Sequence, residues 1–217
     1  MITAYFTNIN NLSDDLTFNK MLDKVDINSK SRIMAYKLQQ DQLLRLSGRL
    51  LLHKLLSTSS FSNHLSMSDL QYSPSGKPYF NNDFNFSIAH SGDMVVCAGG
   101  VGIKIGADIE KESGLQINDM KDHFTAGEWA AISGTDTNSV FYKMWVRKEA
   151  CIKATDKGVL MPLNEIDVCE DIVTIDDSQW YLHNLHLKRD YATCIATDKQ
   201  DARIYMQEID FDSLINQ

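Results

Sequence analysis

Proline, cysteine and long apolar runs are all scarce in this chain of 217 residues. It has only 3 prolines and 4 cysteines, and no Cys-x-x-Cys pair that would indicate a zinc or thiol-redox motif. The longest nearly apolar run, Met94 to Ile103, contains three glycines. That run is far shorter than the ~20 residues that a membrane-spanning helix needs. No membrane partner is therefore expected.

An excess of positive charge is also missing. The chain carries 21 Lys and Arg against 29 Asp and Glu, a net charge of −8, which disfavours generic nucleic-acid binding. The N-terminal residues show no basic stretch followed by an apolar run, so no secretory signal is expected. Together with the few scattered cysteines, these observations predict a cytoplasmic protein without a nucleic-acid partner.

Hydrophobic residues make up 43% of the chain, which is enough to bury a sizeable core. The periodicity of these residues predicts the order strand, long helix, strands, then helix, long helix, strands. That order predicts an α+β fold of two similar α/β subdomains related by a pseudo-twofold axis, each a small antiparallel sheet packed with a long helix. The predicted subdomains are residues 1–103 and 104–217. The predicted helices lie at about 35–56, 115–133 and 138–155, and the predicted strands at about 1–9, 84–90, 93–98, 101–110, 165–175, 179–188, 191–197 and 203–209.

A basic segment between Lys30 and Lys54 stands out in this acidic chain. It holds six basic residues and one acid, Asp41, for a local charge of +5. Two interpretations stay open on composition alone. The segment is either a solvated helix face or an anion site, where Lys and Arg donate hydrogen bonds to phosphates.

Two short patterns carry carboxylates at spacings that suit catalysis. Asp108 and Glu110 fall on one face of a predicted strand and are expected to be directed to the surface, where such a pair suits a hard cation. Glu149 lies between Trp145 and Lys153 on one helix face, as a third metal ligand or a general base. Each spacing alone favours a simpler interpretation: a polar strand face turned to water, and an ordinary Glu–Lys pair beside a core tryptophan.

Two further patterns suggest phosphate contacts. His90 and Ser91 end a predicted strand among small residues, which leaves the imidazole and nearby N–H groups approachable. Lys77 stands in the turn Gly76-Lys77-Pro78, where proline fixes φ and glycine permits positive φ. A structural histidine and an exposed turn lysine remain the alternatives.

Taken in order, these patterns closely resemble the 4′-phosphopantetheinyl transferase superfamily in its Sfp-type branch. The resemblance is carried by Phe86-Ser-Ile-Ala-His-Ser91, Gly106-Ala-Asp-Ile-Glu110 and Trp145-Val-Arg-Lys-Glu-Ala-Cys-Ile-Lys153, with the Gly-Lys-Pro turn upstream and Lys157–Leu163 downstream. It implies that the phosphopantetheine arm of coenzyme A moves onto a serine of an apo acyl or peptidyl carrier protein, with release of adenosine 3′,5′-bisphosphate.

Two other functions stay open. One is a non-catalytic coenzyme A or carrier-protein binding module of the same fold. The other is a different Mg²⁺-dependent enzyme acting on a nucleotide diphosphate. The sequence lacks the Gly-x-x-x-x-Gly-Lys-Ser/Thr loop of P-loop NTPases, which argues against that branch of the second alternative.

The resemblance also implies a role for individual residues. Mg²⁺, or Mn²⁺, is expected on Asp108, Glu110 and Glu149, and the catalytic residues are expected to be Glu149, Lys153 and Asp108. Glu128 resembles a further family glutamate near the site. A monomer and a carrier with an acidic recognition helix are expected.

Coenzyme A is expected to contact Arg45, Arg49, Lys77, His90, Ser91 and Lys153, with the two arginines on the adenine and 3′-phosphate side. One departure is Ala89, where many members carry a hydroxyl residue, so Ser87 or Ser91 is expected to supply that contact.

Overall fold

The computed structural model describes residues 1–10, 15–58, 65–74, 76–114, 117–134, 136–155 and 161–215. The chain divides into two compact units. The first comprises Met1–Gly102 together with Arg203–Gln217, and the second comprises Ile103–Ala202. Each unit contains a four-stranded sheet with one long helix packed against it, which confirms the predicted α+β class. In the described ranges no helix combines the length and the hydropathy needed to cross a bilayer.

The first unit is built from strands at both ends of the chain. Its elements are β1 (Ile2–Asn8), α1 (Asp15–Leu22), α2 (Ile27–Met34), α3 (Gln39–Thr58), a 3-10 segment (Met67–Asp69), β2 (Gln71–Tyr72), β3 (Pro78–Tyr79), β4 (Phe84–Ser91), β5 (Met94–Val101), β10 (Ile204–Glu208) and α6 (Phe211–Ile215). The main sheet has the order β10-β1-β5-β4 and is antiparallel except where β10 pairs parallel with β1. A separate two-stranded sheet pairs β2 with β3. The long helix α3 packs on the main sheet because its leucines recur at helical spacing and are buried.

The second unit is contiguous in sequence. Its elements are β6 (Ile105–Lys111), α4 (Ala126–Ile132), α5 (Thr137–Thr155), β7 (Ile172–Ile175), β8 (Ser178–Leu185) and β9 (Tyr191–Thr197), with 3-10 segments at Ile117–His123 and Leu163–Glu165. The antiparallel sheet has the order β6-β9-β8-β7, and α5 packs on β6, β9 and β8. The helix side that faces the sheet is apolar and includes Val146 and Ala150.

The C-terminal strand differs from the predicted subdomain 104–217. Ile204 pairs with Ile2 in parallel register, so Arg203–Gln217 belong to the first unit rather than to the second. Strand β10 is an edge strand whose residues are mostly exposed, so its sequence carries no clear alternation that indicates its partner.

Two other predicted elements are shorter than expected. The helix predicted over 115–133 is a 3-10 segment followed by α4, because Thr125 caps α4 by accepting a hydrogen bond from the Glu128 N–H. The strand predicted over 165–175 is confined to β7, and the residues before it include a 3-10 segment.

Gly106 lets helix α5 approach strand β6 more closely than any other residue would allow. A Cβ atom there would lie 2.0 Å from the Ala150 carbonyl oxygen and 2.4 Å from the Ala154 amide nitrogen. Both obstacles are backbone atoms, so no side-chain rotation relieves the overlap. Gly106 shares its strand face with Asp108 and Glu110, because side chains two residues apart point the same way. The close approach therefore brings α5 over the strand face that carries both carboxylates.

Gly106→Ala is expected to destabilise the second unit by about 3 kcal/mol or more, at or above the upper end of overpacking costs, because the clash is with backbone. Urea unfolding monitored by circular dichroism measures the change. Gly114→Ala is the matched control, because a Cβ atom there meets nothing within 4 Å and its change should stay within about 0.5 kcal/mol. Equal unfolding midpoints for the two variants would contradict the argument.

Candidate active site

An ion pair between strand β6 and helix α5 lies at the centre of the candidate site. Lys153 Nζ donates to Asp108 Oδ1 at 2.5 Å. Asp108 is only 4% exposed, whereas the Lys153 side chain is 32% exposed. The second carboxylate oxygen, Asp108 Oδ2, is buried and accepts no hydrogen bond from any described residue. A buried polar atom without a partner is uncommon and indicates a place for a ligand, an ion or water.

The expectation that Asp108 is directed to the surface is wrong. The carboxylate is buried because Gly106 allows α5 to cover this part of the strand. Burial raises the pKa of Asp108 to about 7, while the charge and hydrogen bond of Lys153 oppose the rise. The negative charges of Glu110 and Glu149 raise the pKa of Asp108 further.

The three carboxylates predicted to bind a metal have the donor chemistry that a hard divalent cation prefers. Asp108 Oδ2, which has no hydrogen-bond partner among the described residues, fits such a cation, and Glu110 and Glu149 are both half-buried. Within the described ranges, however, no group of three or more His, Cys, Asp or Glu side chains is arranged to hold a metal ion as it stands. Mg²⁺ commonly takes only one or two carboxylates and completes its coordination with water and substrate phosphates. The residues thus fit a cation that is bound together with a phosphate ligand.

Glu128 lies in a different environment from the other acids. It is fully buried and forms a salt bridge of 2.7 Å with Lys148, which is also fully buried. Burial lowers the pKa of Lys148, and the hydrogen bond and charge of Glu128 oppose that effect. Lys148 was not among the site residues predicted from the sequence. The capping pattern Thr125-x-x-Glu128 was a signal for the structural role of this glutamate, since a capping box places the glutamate side chain on the N-cap backbone N–H.

Arg147 also carries a buried charge and was not among the residues predicted from the sequence. Its side chain is 1% exposed, donates to the Glu170 carbonyl oxygen at 2.5 Å and lies 2.9 Å from Asp171 Oδ1. Both contacts join α5 to the segment that leads into β7. The sequence around Arg147 contains no pattern that predicts its burial.

The arginines predicted to bind coenzyme A lie in the first unit and stack on tyrosines. The Arg45 guanidinium carbon lies 3.8 Å from the centroid of the Tyr36 ring. Arg49 Nη2 donates to the Tyr72 hydroxyl at 3.3 Å, and the guanidinium carbon of Arg32 lies 3.8 Å from the Tyr72 ring centroid. Both predicted arginines are half-buried, so this part of the basic segment is not simply a solvated helix face. Arg45 Nε is buried and donates to no described residue.

His90 and Ser91 are half-buried at the end of β4, where the chain turns into β5. Gln40 Nε2 donates to the Gly92 carbonyl oxygen at 3.2 Å, which joins the start of α3 to this turn. The structure therefore brings the first part of α3 and the end of β4 together within the first unit.

Lys77 lies just before β3, in the connection from β2, rather than in the four-stranded sheet. Its backbone N–H donates to Ser73 Oγ at 3.1 Å, which orders the turn. Ser75 of the same turn, and residues 157–160 of the downstream motif, lie outside the described residues. The first unit thus holds the residues predicted to bind coenzyme A, Lys153 excepted, and the second unit holds those predicted to bind metal.

Replacing Asp108 by Asn is expected to change how stability depends on pH in EDTA-containing buffer. The unfolded Asp108 carboxyl ionises near its ordinary pKa of 3.8, whereas the folded one stays protonated until about pH 7. As the pH rises between these values, the unfolded state releases the proton first, so this group lowers stability progressively. The asparagine side chain has nearly the same shape and does not ionise. The variant should therefore gain stability relative to the parent protein across that interval.

Urea unfolding at several pH values measures this difference. Asp201→Asn is the matched control, because Asp201 is an exposed acid of the same unit. A constant difference between Asp108→Asn and the parent protein from pH 4 to pH 7 would contradict the burial of an ionisable carboxyl at this position.

Comparison with known proteins places this chain in an enzyme class. The profile described as "4′-phosphopantetheinyl transferase superfamily" matches residues 104–197, and the one described as "4′-phosphopantetheinyl transferase, N-terminal" matches residues 13–102. Both profiles describe transferases, as the residue patterns predicted.

Curated relatives belong to the same class. The 4′-phosphopantetheinyl transferase gsp of Aneurinibacillus migulanus is 30% identical over 168 residues, which cover 76% of this chain and 70% of that protein. The 4′-phosphopantetheinyl transferase Sfp of Bacillus subtilis is 34% identical over 129 residues, covering 55% and 57%. The human L-aminoadipate-semialdehyde dehydrogenase-phosphopantetheinyl transferase is 30% identical over 172 residues, covering 70% and 55%. The chain therefore belongs to the 4′-phosphopantetheinyl transferase superfamily, and the predicted likeness to its Sfp-type branch is confirmed. It spans little more than half the length of the human relative.

Proposed function

We propose that this protein transfers the 4′-phosphopantetheine arm of coenzyme A to a serine hydroxyl of an apo acyl or peptidyl carrier protein. The serine oxygen forms a bond to the β-phosphorus, the pyrophosphate bridge breaks, and adenosine 3′,5′-bisphosphate leaves. The observation that carries the proposal is the buried Asp108 carboxylate, which has one oxygen on Lys153 and the other without a partner among the described residues. Such an arrangement suits a cation bound with a phosphate.

Asp108, Glu110 and Glu149 are the residues that would hold Mg²⁺, or Mn²⁺. The cation would supply charge neutralisation on the pyrophosphate and on the leaving group. Lys153 is a third exposed and offers N–H donors to a phosphate oxygen. Glu149 is the candidate acceptor for the serine proton, directly or through a water molecule. Its roles as ligand and as base compete, because a tightly coordinated carboxylate is a poor proton acceptor.

The first unit is proposed to bind the remainder of coenzyme A. Arg45 and Arg49 would contact its adenine and 3′-phosphate side, and Lys77, His90 and Ser91 its phosphates. An anion there is supported by the buried Nε of Arg45, for which no described residue is an acceptor. Coenzyme A binding and metal binding are thus proposed for different subdomains, as predicted for 1–103 and 104–217. Arg203–Gln217 belong to the first unit instead of the second.

The proposed partner is a carrier protein with an acidic recognition helix. Because the chain has a net charge of −8, it would bind that helix through apolar contacts and a local basic rim. We further propose that the protein acts in the cytoplasm as a monomer. The thiols of all four cysteines are free, which suits a reducing compartment.

Mass spectrometry of an intact apo carrier protein tests the transfer. Incubation with the protein, coenzyme A and Mg²⁺ should add the mass of one phosphopantetheine arm, and EDTA should abolish the gain. Asp108→Asn and Glu149→Gln should each lower the rate by about 100-fold or more, because charge stabilisation by a metal is worth several kcal/mol and each 1.36 kcal/mol is a factor of ten.

Glu165→Gln is the matched control, because Glu165 is an exposed acid of the same unit outside the proposed site. Its rate should equal that of the parent protein. Coenzyme A binding without a mass gain on either a fatty-acid or a peptidyl carrier would favour the alternative of a binding module. Near-normal transfer by both site variants would reject the metal assignment.

Arg45→Ala is expected to weaken binding of coenzyme A about 10- to 100-fold and binding of 3′-dephospho-coenzyme A much less. A hydrogen bond to a charged group contributes about 1.5–3 kcal/mol, and only the first ligand carries the 3′-phosphate. Isothermal titration calorimetry with the two ligands measures the difference. Lys54→Ala, at a half-buried residue in the last part of the same helix, is the control. Equal weakening of both ligands by Arg45→Ala would show that Arg45 does not contact the 3′-phosphate.

A further inference from the structure

We infer that the buried ion pair Glu128–Lys148 is a positioning device that fixes the orientation of Glu149. Neither member touches the proposed substrates, since both side chains are fully buried. The inference rests on the proposed function, because it assigns the pair a role in aligning a ligand of that reaction.

Every strong hydrogen-bonding group of the pair has a partner. The three N–H bonds of the Lys148 ammonium are matched by three acceptors: Glu128 Oε2 at 2.7 Å, the Leu163 carbonyl oxygen at 2.8 Å and the Ile166 carbonyl oxygen. Glu128 Oε2 also accepts from the Thr125 N–H at 2.8 Å, and Oε1 accepts from the Val168 N–H at 2.8 Å. One closed network therefore joins the start of α4, the middle of α5 and the segment 163–168.

The location of this network on α5 gives it a consequence for the active site. Lys148 directly precedes Glu149, and Lys153 follows one turn later on the face where Asp108 is bound. Successive residues of a helix are rotated by about 100° around its axis, so anchoring one residue sets the direction of the next. Arg147 adds an adjacent anchor through Glu170 and Asp171. The turn that carries Glu149 is thus held from its buried side at two consecutive positions.

Stability alone does not account for a buried pair of this kind. Removing two charges from water is costly, and replacing a buried ion pair by apolar residues of similar volume is often neutral or stabilising. What such a pair does supply is a single geometry, because only one helix rotation satisfies all of its hydrogen bonds. A carboxylate that binds a cation and a reacting phosphate needs that precision.

Two variants test the inference. Glu128→Gln combined with Lys148→Met removes both charges while approximately preserving the shapes. Glu128→Gln alone keeps the Lys148 hydrogen bonds to both carbonyl oxygens and provides a milder change if the double variant does not fold. Val173→Ala is the matched control, because Val173 is a 2% exposed core residue of the same unit outside the network, and its truncation lowers stability only.

Two quantities are measured below the melting temperature of each variant. The first is Mn²⁺ affinity with coenzyme A present, obtained from the electron paramagnetic resonance signal of free Mn²⁺. The second is the kinetics of transfer to a carrier protein. The double variant should lose about 10- to 100-fold in Mn²⁺ affinity or in kcat, as residues that orient metal ligands commonly do, with KM for coenzyme A changed less than about twofold. Glu128→Gln should show a smaller loss of the same kind, and Val173→Ala should show none.

Three results would overturn the inference. Unchanged Mn²⁺ affinity and kcat in folded forms of both variants would reject the positioning role while leaving the transferase activity intact. An equal loss in Val173→Ala would show that stability alone is responsible. Absence of transfer by the parent protein would reject the proposed function, and the role of the pair with it.

Discussion

The close contact of helix α5 with strand β6 at Gly106 is the constraint on which the candidate site depends. Without a side chain at that position, two backbone segments meet within a distance that no Cβ atom tolerates. The contact buries Asp108 and places it against Lys153, so the carboxylate loses most of its hydration and gains Lys153 as a charged partner. The raised pKa of Asp108 follows from this close contact, and so does the lack of a described hydrogen-bond partner for its second oxygen.

Two lysines of helix α5 each pair with a buried carboxylate of another element, and the two carboxylates differ in how completely they are hydrogen-bonded. Lys148 and Glu128 have a partner for every strong donor and acceptor, as expected of a network that defines a structure. Asp108 keeps one oxygen without a partner among the described residues, which costs stability and is typical of a site where ligand binding outweighs the stability of the empty protein. Lys153 follows Lys148 by five positions in the sequence, yet Lys153 contacts the candidate site whereas the Lys148 side chain is fully buried.

Sequence patterns predicted most of the fold and supplied the residues of the candidate site, whose role stays a prediction, because both rest on local information. Leucines at helical spacing predicted α3, and the spacing of Asp108 and Glu110 placed them on one strand face. Long-range features were not accessible in this way. The parallel pairing of β10 with β1, the arginine–tyrosine stacks at Tyr72 and the burial of Arg147 depend on which distant segments meet. When a charged residue occupies a buried helix position, the neighbouring sequence does not indicate which distant residue will pair with it.

The return of β10 to the first unit has a consequence for synthesis on the ribosome. Residues 103–202 form a unit contiguous in sequence, so all of its strands are available before the chain is finished. The first sheet, by contrast, lacks its edge strand until residues 204–208 emerge, and β1 meanwhile presents unpaired backbone groups along one side. Synthesis of the first unit therefore starts before that of the second unit and ends after it. During that interval the nascent chain has an exposed strand edge to which another segment can pair.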